Sequence, residues 1–151
     1  MMDPDPLAPL EGWLTATLAE LSPPKRTQIL RRLGRELRKR NQQRIGRQVG
    51  PDGKPWAPRK RDLSGKVRRT AAMMQKLRDD RRMMLTAGPG GVEIGWSGIT
   101  GRIASVHHTG DVDEVWRGGA NVKYPARELL GLSDDDLDFV KRFILDAADQ
   151  V

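Results

Sequence analysis

The sequence predicts an α+β domain in which two N-terminal helices and one C-terminal helix pack on a small, mostly antiparallel sheet from the middle of the chain. Three observations carry that expectation. Leu7, Leu10, Leu14, Leu18 and Leu21 recur at intervals of three and four, the spacing of one helix face. Two apolar runs flank the turn Gly88-Pro89-Gly90-Gly91, which is a hairpin pattern. Ser133-Asp134-Asp135-Asp136 has the Ser-x-x-acid form of a capping box ahead of an apolar-periodic stretch, which marks a helix start.

Ser22-Pro23-Pro24 ends the first helix and begins a second near Pro24. Ser caps free amides, and Pro lacks only an N–H that a first turn leaves unbonded. Ile29, Leu33 and Leu37, with Leu30 alongside, form the apolar stripe of the second helix. Arg31, Arg32, Arg35, Arg38, Lys39 and Arg40 fill the rest of its circumference, and the helix runs into residues 46–50.

The stretch GPDGKPWAPRKR, residues 50–61, follows. Pro-Asp-Gly reverses the chain, because Pro presets φ, Asp bonds its own backbone and Gly accepts positive φ. Pro55 and Pro58 hold the residues before them extended and lack N–H donors, so the piece is an edge strand or a polyproline-like arm. Such an elbow serves as a nucleic-acid clamp, a docking strand for a protein, or a solvated connector. Its candidate partner-binding residues are Trp56, Arg59, Lys60 and Arg61.

In residues 70–82, Met73, Met74 and Leu77 stand at helical spacing and predict a short helix whose methionines fill core. MMLTA (83–87) and VEIGW (92–96) form the hairpin around Gly88 to Gly91. IASVHH (103–108) reads as a short element of either type. A Gly-rich loop at 117–121 precedes VKYP (122–125), a strand ended by proline. In the last helix Leu137, Val140, Ile144 and Ala148 form the buried face with Phe143 beside them, and the three Asp favour the positive end of the helix dipole. No internal repeat is visible.

A length of 151 residues fits one domain, residues 1–151, with residues 1–24 as an N-terminal helical extension. Apolar residues make up 37% of the chain, with two Phe, one Tyr and four Trp. The core is therefore aliphatic and modest, and oligomerisation is a natural way to complete its burial. With no cysteine there is no disulfide framework, no thiolate nucleophile and no thiol-bound zinc. The acidic, proline-containing start MMDPDP lacks the pattern of an export signal. No uncharged apolar run reaches the length of about 18 residues that a membrane helix needs. The net charge of +7 conceals a basic middle: 21 of the 27 Lys/Arg, but only 5 of the 20 Asp/Glu, lie in residues 25–82. A basic band between acidic ends attracts polyanions, docks on acidic protein surfaces, or is simply a solvated helix face.

Enzyme chemistry finds little support. His107 and His108, the only histidines, are adjacent and cannot make the i, i+4 pair of a zinc helix. Asp134 to Asp136 lack the spacing and Gly of a calcium loop. No G-x-S-x-G elbow is present, and the glycine runs lack the Lys-Ser/Thr of a phosphate loop. These residues call for no cofactor and no metal. A nucleic-acid reading would use Arg and Lys on phosphates and Trp56 on a base, but no helix-turn-helix, RNA-recognition or zinc-finger signature accompanies the charge.

Several blocks in fixed order carry a resemblance. Asn41-Gln42-Gln43-Arg44-Ile45 leads into residues 50–60; Met74-Gln75-Lys76-Leu77-Arg78 follows; RIASVHHTG (102–110) precedes YPARELLGL (124–132). Together they resemble the phage virion morphogenesis family, which includes the tail completion proteins of contractile-tailed phages and the Mu-like protein G group. The resemblance runs from about residue 25 to the C-terminus. It implies a non-enzymatic assembly protein that completes the head-proximal end of a tail and enables head-tail joining. The implied partners are the tail tube or tail terminator, head connector proteins and further copies in a homo-oligomeric ring such as a hexamer. The implied location is the virion, in its tail or neck, after assembly in the host cytoplasm. Direct nucleic-acid contact through residues 25–82 is the alternative. In this setting the elbow is an arm lying against a neighbour, and residues 127–131 close the sheet before the last helix. No role carries onto residues 111–121.

Overall fold

The computed structural model describes residues 7–60, 65, 66, 68 and 70–150. Helix α1 (Ala8–Leu18) takes Pro9 in its first turn, and α2 (Pro23–Arg47) begins on two prolines after an extended Ser22. α2 is the spine of the fold. Its buried residues, Ile29, Leu30, Leu33, Gly34, Leu37, Asn41, Arg44 and Ile45, follow helical spacing and turn from apolar to polar toward the C-terminal end.

Strands β1 (Met84–Gly88) and β2 (Gly91–Gly95) pair antiparallel through a Pro89-Gly90 turn, with Leu85 opposite Ile94 and Ala87 opposite Val92. This hairpin lies on α2 at Gly34. A Cβ there would meet Val92 Cγ2 at 2.5 Å and Leu85 Cδ1 at 3.0 Å, so the missing side chain sets how closely helix and hairpin approach. Helix α3 (Gly98–Thr109) follows, then a second antiparallel pair, β3 (Val112–Glu114) with β4 (Asn121–Lys123), and finally α4 (Asp134–Asp149). Among the described residues no helix is long and apolar enough to cross a membrane.

The α+β class holds, with four helices and two small antiparallel ribbons. Several details differ from the sequence reading. The strands form two separate pairs, not one sheet. Residues 70–82 hold only a 3-10 helix, Gln75–Arg78. Met74 sits at φ 62, and the Gln48 side chain accepts from the Met73 amide at 2.6 Å while donating to its carbonyl at 2.9 Å; those groups are withdrawn from any helix. Met73 and Leu77 are nevertheless buried. Residues 103–108 fall within α3, which ends on Gly110 at φ 75. The stretch 111–121 contains β3 and the start of β4. Residues 127–131 are not a strand; their polar groups bond to the elbow, α2 and α3, as described below. In α4 the buried positions are Asp136, Val140, Ile144 and Ala147, with Leu137 and Ala148 half-buried.

Two apolar clusters share α2. Leu18, Ile29, Leu30, Leu33, Leu37, Val140, Ile144 and Ala147 join α1, α2 and α4. Ile45, Trp56, Met73, Leu77, Met83, Ala104 and Leu129 gather the elbow, the 3-10 helix and α3 around the end of α2. A polar knot sits on the stretch of α2 between them. Arg44 Nη1 donates to Asp136 Oδ2 at 2.5 Å, and Arg44 Nη2 donates to the Asn41 side chain and the Gly131 carbonyl, both at 2.6 Å. Asn41 Oδ1 also accepts from the Gly131 amide at 3.1 Å, and Arg40 donates to Asp136 Oδ1 at 3.2 Å. Asp136 completes the predicted capping box, accepting from the Ser133 amide and donating its own amide to Ser133 Oγ.

Burial alone would raise the Asp136 pKa, but the Ser133 amide and the Arg44 guanidinium outweigh it and hold the carboxyl below 3.8. A depressed folded-state pKa means that the unfolded chain takes up the proton first. The stabilisation is full above the ordinary carboxylate value and is lost as pH falls through the folded one. Asp136→Asn keeps the shape but leaves Arg44 buried without its counter-charge. Urea unfolding at neutral pH should show a loss of about 3–5 kcal/mol, with a flatter acid limb than the parent; a loss below about 1 kcal/mol would make the pair equivalent to an exposed one.

Candidate functional site

The elbow begins where α2 stops. Gln48 adopts φ 60 and closes the helix with its amide bonded back to Arg44 and Ile45. Val49 then bridges Pro55, Gly50 donates to the Lys54 carbonyl at 3.0 Å, Trp56 donates to the Gln48 carbonyl at 2.8 Å, and Gly53 takes φ 78. The Asp52 carboxylate accepts from the Lys54 amide at 2.9 Å. This is the reversal that Pro-Asp-Gly encodes.

Three anchors fix the arm that leaves it. Trp56 is 9% exposed and belongs to the second core cluster, with its indole N–H donating to the Glu128 carbonyl at 3.2 Å. Arg127, 5% exposed, donates through Nε to the Ala57 carbonyl at 2.9 Å and through Nη2 to that of Pro58 at 3.1 Å. Pro51 packs so tightly on Gly131 that a Cβ there would lie 2.4 Å from Pro51 Cγ. Prolines cannot donate to a ladder, so the arm's carbonyls are satisfied by a side chain instead.

Of the candidate partner-binding residues, Arg59 is half-buried and reaches toward the carbonyls of Ala71 and Ala72 at 3.5 and 3.4 Å, while Lys60 is exposed. Arg61 lies outside the described residues. Trp56 faces inward, so it positions the arm while Arg59 and Lys60 present its charge. Burial, and then the charge of Arg59, depress the Arg127 pKa. Two guanidinium groups are thus held near one another at the arm, a local excess of positive charge that an acidic surface would relieve.

Arg127 is the residue of this candidate site that composition and spacing did not reveal. Its only signal was its place in the block YPARELLGL. Of the two histidines behind it, His108 is bonded internally and His107 keeps its Nδ1 buried without a hydrogen-bond partner. His108 Nδ1 accepts the Leu129 amide at 3.1 Å, and the His107 ring meets Tyr124 edge-on at 4.7 Å. Among the described residues no group of three His, Cys, Asp or Glu could hold a metal.

A model of the phage virion morphogenesis family matches residues 5–148. The chain belongs to the phage virion morphogenesis family. Within it, the chain is 35% identical over 140 residues to tail completion protein S of Escherichia phage P2, an alignment covering 89% of this chain and 92% of that protein. No solved structure matches the chain. This member of the virion morphogenesis family therefore shares nearly its whole length with a tail completion protein. The elbow, its Arg127 anchor and the knot at Gly131 all lie inside the matched span.

Two measurements check the site. Trp56→Ala removes a core side chain as well as the arm's anchor, and thermal or urea unfolding should show a loss of about 3 kcal/mol; an unchanged midpoint would mean the ring is not packed as described. Burial first, then Arg127, depress the His107 pKa against the opposing pull of Asp113. The unfolded chain therefore protonates first, and this contribution is full above the ordinary histidine value and declines as pH falls below about 6.5. The fall in unfolding free energy between about pH 7 and pH 5 should shrink in His107→Phe; an identical slope would remove His107 as its source.

Proposed function

We propose that this protein is a non-enzymatic structural component that completes the head-proximal end of a phage tail, so that a finished tail joins a filled head. The observation that carries this reading is the family relationship along nearly the whole chain, including 35% identity with a tail completion protein. On this reading the protein is a virion component of the tail or neck. Its partners are the tail tube or tail terminator and the head connector, and it works as a homo-oligomeric ring.

The arm is the docking element. Lys54, Arg59 and Lys60 leave the elbow on chain that Pro55 and Pro58 stiffen and Arg127 holds, so little conformational entropy is lost when a partner seats on it. The charged surface it fits is acidic. The nucleic-acid alternative loses its stacking residue, because Trp56 is in the core, and keeps phosphate neutralisation by exposed basic residues such as Arg31, Arg35, Lys39 and Arg47 of α2 and Lys76, Arg81 and Arg82 beyond it.

Deleting the gene should leave separate full heads and tails of near-normal length in electron micrographs; joined virions, or no tails, would refute the assigned step. Complementation with Arg59, Lys60 and Arg61 all changed to Glu should give a folded protein by circular dichroism that fails to join heads to tails. Like-charge juxtaposition at an interface costs several kcal/mol. Full rescue by this variant would make the arm a solvated connector. Intact joining together with lost DNA retention, and a steep dependence of that retention on salt, would promote the nucleic-acid reading.

A further inference from the structure

The hairpin of β3 and β4 exposes more apolar surface than its size accounts for. Val112, Val115 and Trp116 are 56%, 49% and 67% exposed, yet the hairpin is firmly built. Val115 donates to the Ala120 carbonyl at 3.1 Å, Gly119 to that of Trp116 at 2.7 Å, and the Gly118 amide to Glu114 Oε2 at 3.0 Å. The Trp116 ring rests on Gly119, where a Cβ would lie 2.7 Å from the indole. The Arg102–Asp113 ion pair and the His107–Tyr124 ring contact tie the hairpin to α3. An exposed indole held in place on a rigid turn is preorganised for binding, and aromatic anchors of this kind dominate interface energies.

Elsewhere the chain carries a receptor of matching character. A cleft of about 820 Å³ opens between α1, α2 and the β1–β2 turn, and most of its wall is aliphatic. Clefts of roughly 300–1,000 Å³ accommodate ligands of drug size, which is ample for a tryptophan and a neighbouring valine. Arg26 lines this wall, and its Nε is buried without a hydrogen-bond partner. No side-chain hydrogen bond or ion pair joins Arg26 to any other described residue. The half-buried Arg26 therefore sets a positive charge in an otherwise apolar wall, a pattern complementary to an acidic group carried beside apolar side chains. Glu114-Val115-Trp116 supplies both. No residue of the hairpin lines its own chain's cleft, so the contact runs from one copy to the next.

We infer that the cleft receives the β3–β4 hairpin of a second copy of this chain, with Val115 and Trp116 in the apolar space and Glu114 against Arg26. Because knob and cleft are different surfaces, the contact is head-to-tail and closes into a ring when the rotation allows. This deepens the assembly reading above and rests on it for its biological setting, not for its geometry.

The chain has no cysteine, so disulfide trapping is free of background. Val115→Cys protein and Thr15→Cys protein, the latter altered at the cleft wall, are mixed at high concentration under mild oxidation. A heterotypic dimer should form in preference to either like pair, and Trp116→Ala in the Val115→Cys chain should cut its yield on the order of tenfold or more. Arg26→Glu in the Thr15→Cys chain should also reduce it, by setting like charge against Glu114. Trapping only between like variants, no trapping, or indifference to Trp116→Ala overturns the proposal, and indifference to Arg26→Glu counts against the cleft as receptor. The assay uses purified protein alone. Trapping in a protein whose deletion leaves joined virions would keep this contact and sink the tail-completion reading; the reverse pair of results would sink the contact alone.

Discussion

The buried pair of Arg44 and Asp136 is the constraint on which the remaining architecture depends. Its partners come from elements 92 residues apart, and each does a second task. Asp136 caps the helix it begins, and Arg44 and Asn41 hold Gly131 by both its carbonyl and its amide. Fixing Gly131 fixes Pro51 against it, and residues 127–129 upstream of it carry the groups that bind the elbow and α3. The two apolar clusters are nondirectional and would tolerate sliding along α2. The knot is directional, and it sets the register of α4 and of the elbow on the same helix.

The basic middle of the chain divides into two populations. Arg44 is buried in the knot, Arg40 lies 4.0 Å from the Phe139 ring centroid while bonding to Asp136, Arg32 covers Phe143, and Arg38 donates to the Met83 carbonyl. These arginines bind the molecule together, using long stems to cover apolar surface. Arg31, Arg35, Lys39, Arg47, Lys54, Lys60, Lys66, Arg68, Lys76, Arg81 and Arg82 are exposed. The outward charge is therefore smaller than the count of basic residues suggests, and part of it sits on the arm.

Rigidity in short irregular segments has a common origin here. The elbow, the 3-10 region and residues 124–133 contain little regular ladder, and their backbone groups are met by Gln48, Gln42, Arg127, Asn41 and His108 side chains. Buried backbone groups must find partners, and where prolines and tight turns forbid a ladder, polar side chains from neighbouring helices and from the facing loop supply them. An arm and a hairpin tip built this way keep their shape while remaining accessible.

The sequence by itself determined what local physics controls. Leucine spacing with the Ser-Pro-Pro break located α1 and α2, the Gly-Pro-Gly-Gly turn located the first hairpin, the Pro-Asp-Gly reversal located the elbow, and Ser133 with Asp136 located the start of α4. These signals act over a few residues, so they survive without knowledge of the fold. Tertiary structure decided the rest. Met73, Met74 and Leu77 have helical spacing, yet Gln48 claims the Met73 backbone and leaves one 3-10 turn. Val112, Val115 and Trp116 gave no sign of lying on a second hairpin. Trp56, read as an outward anchor, turns inward because Glu128 and the apolar cluster accept it. Arg127 and Asp136 are charged residues that only partners 70 and 92 positions away make tolerable in a buried site. Desolvation and its compensation are properties of three-dimensional neighbourhoods, and spacing along the chain does not encode them.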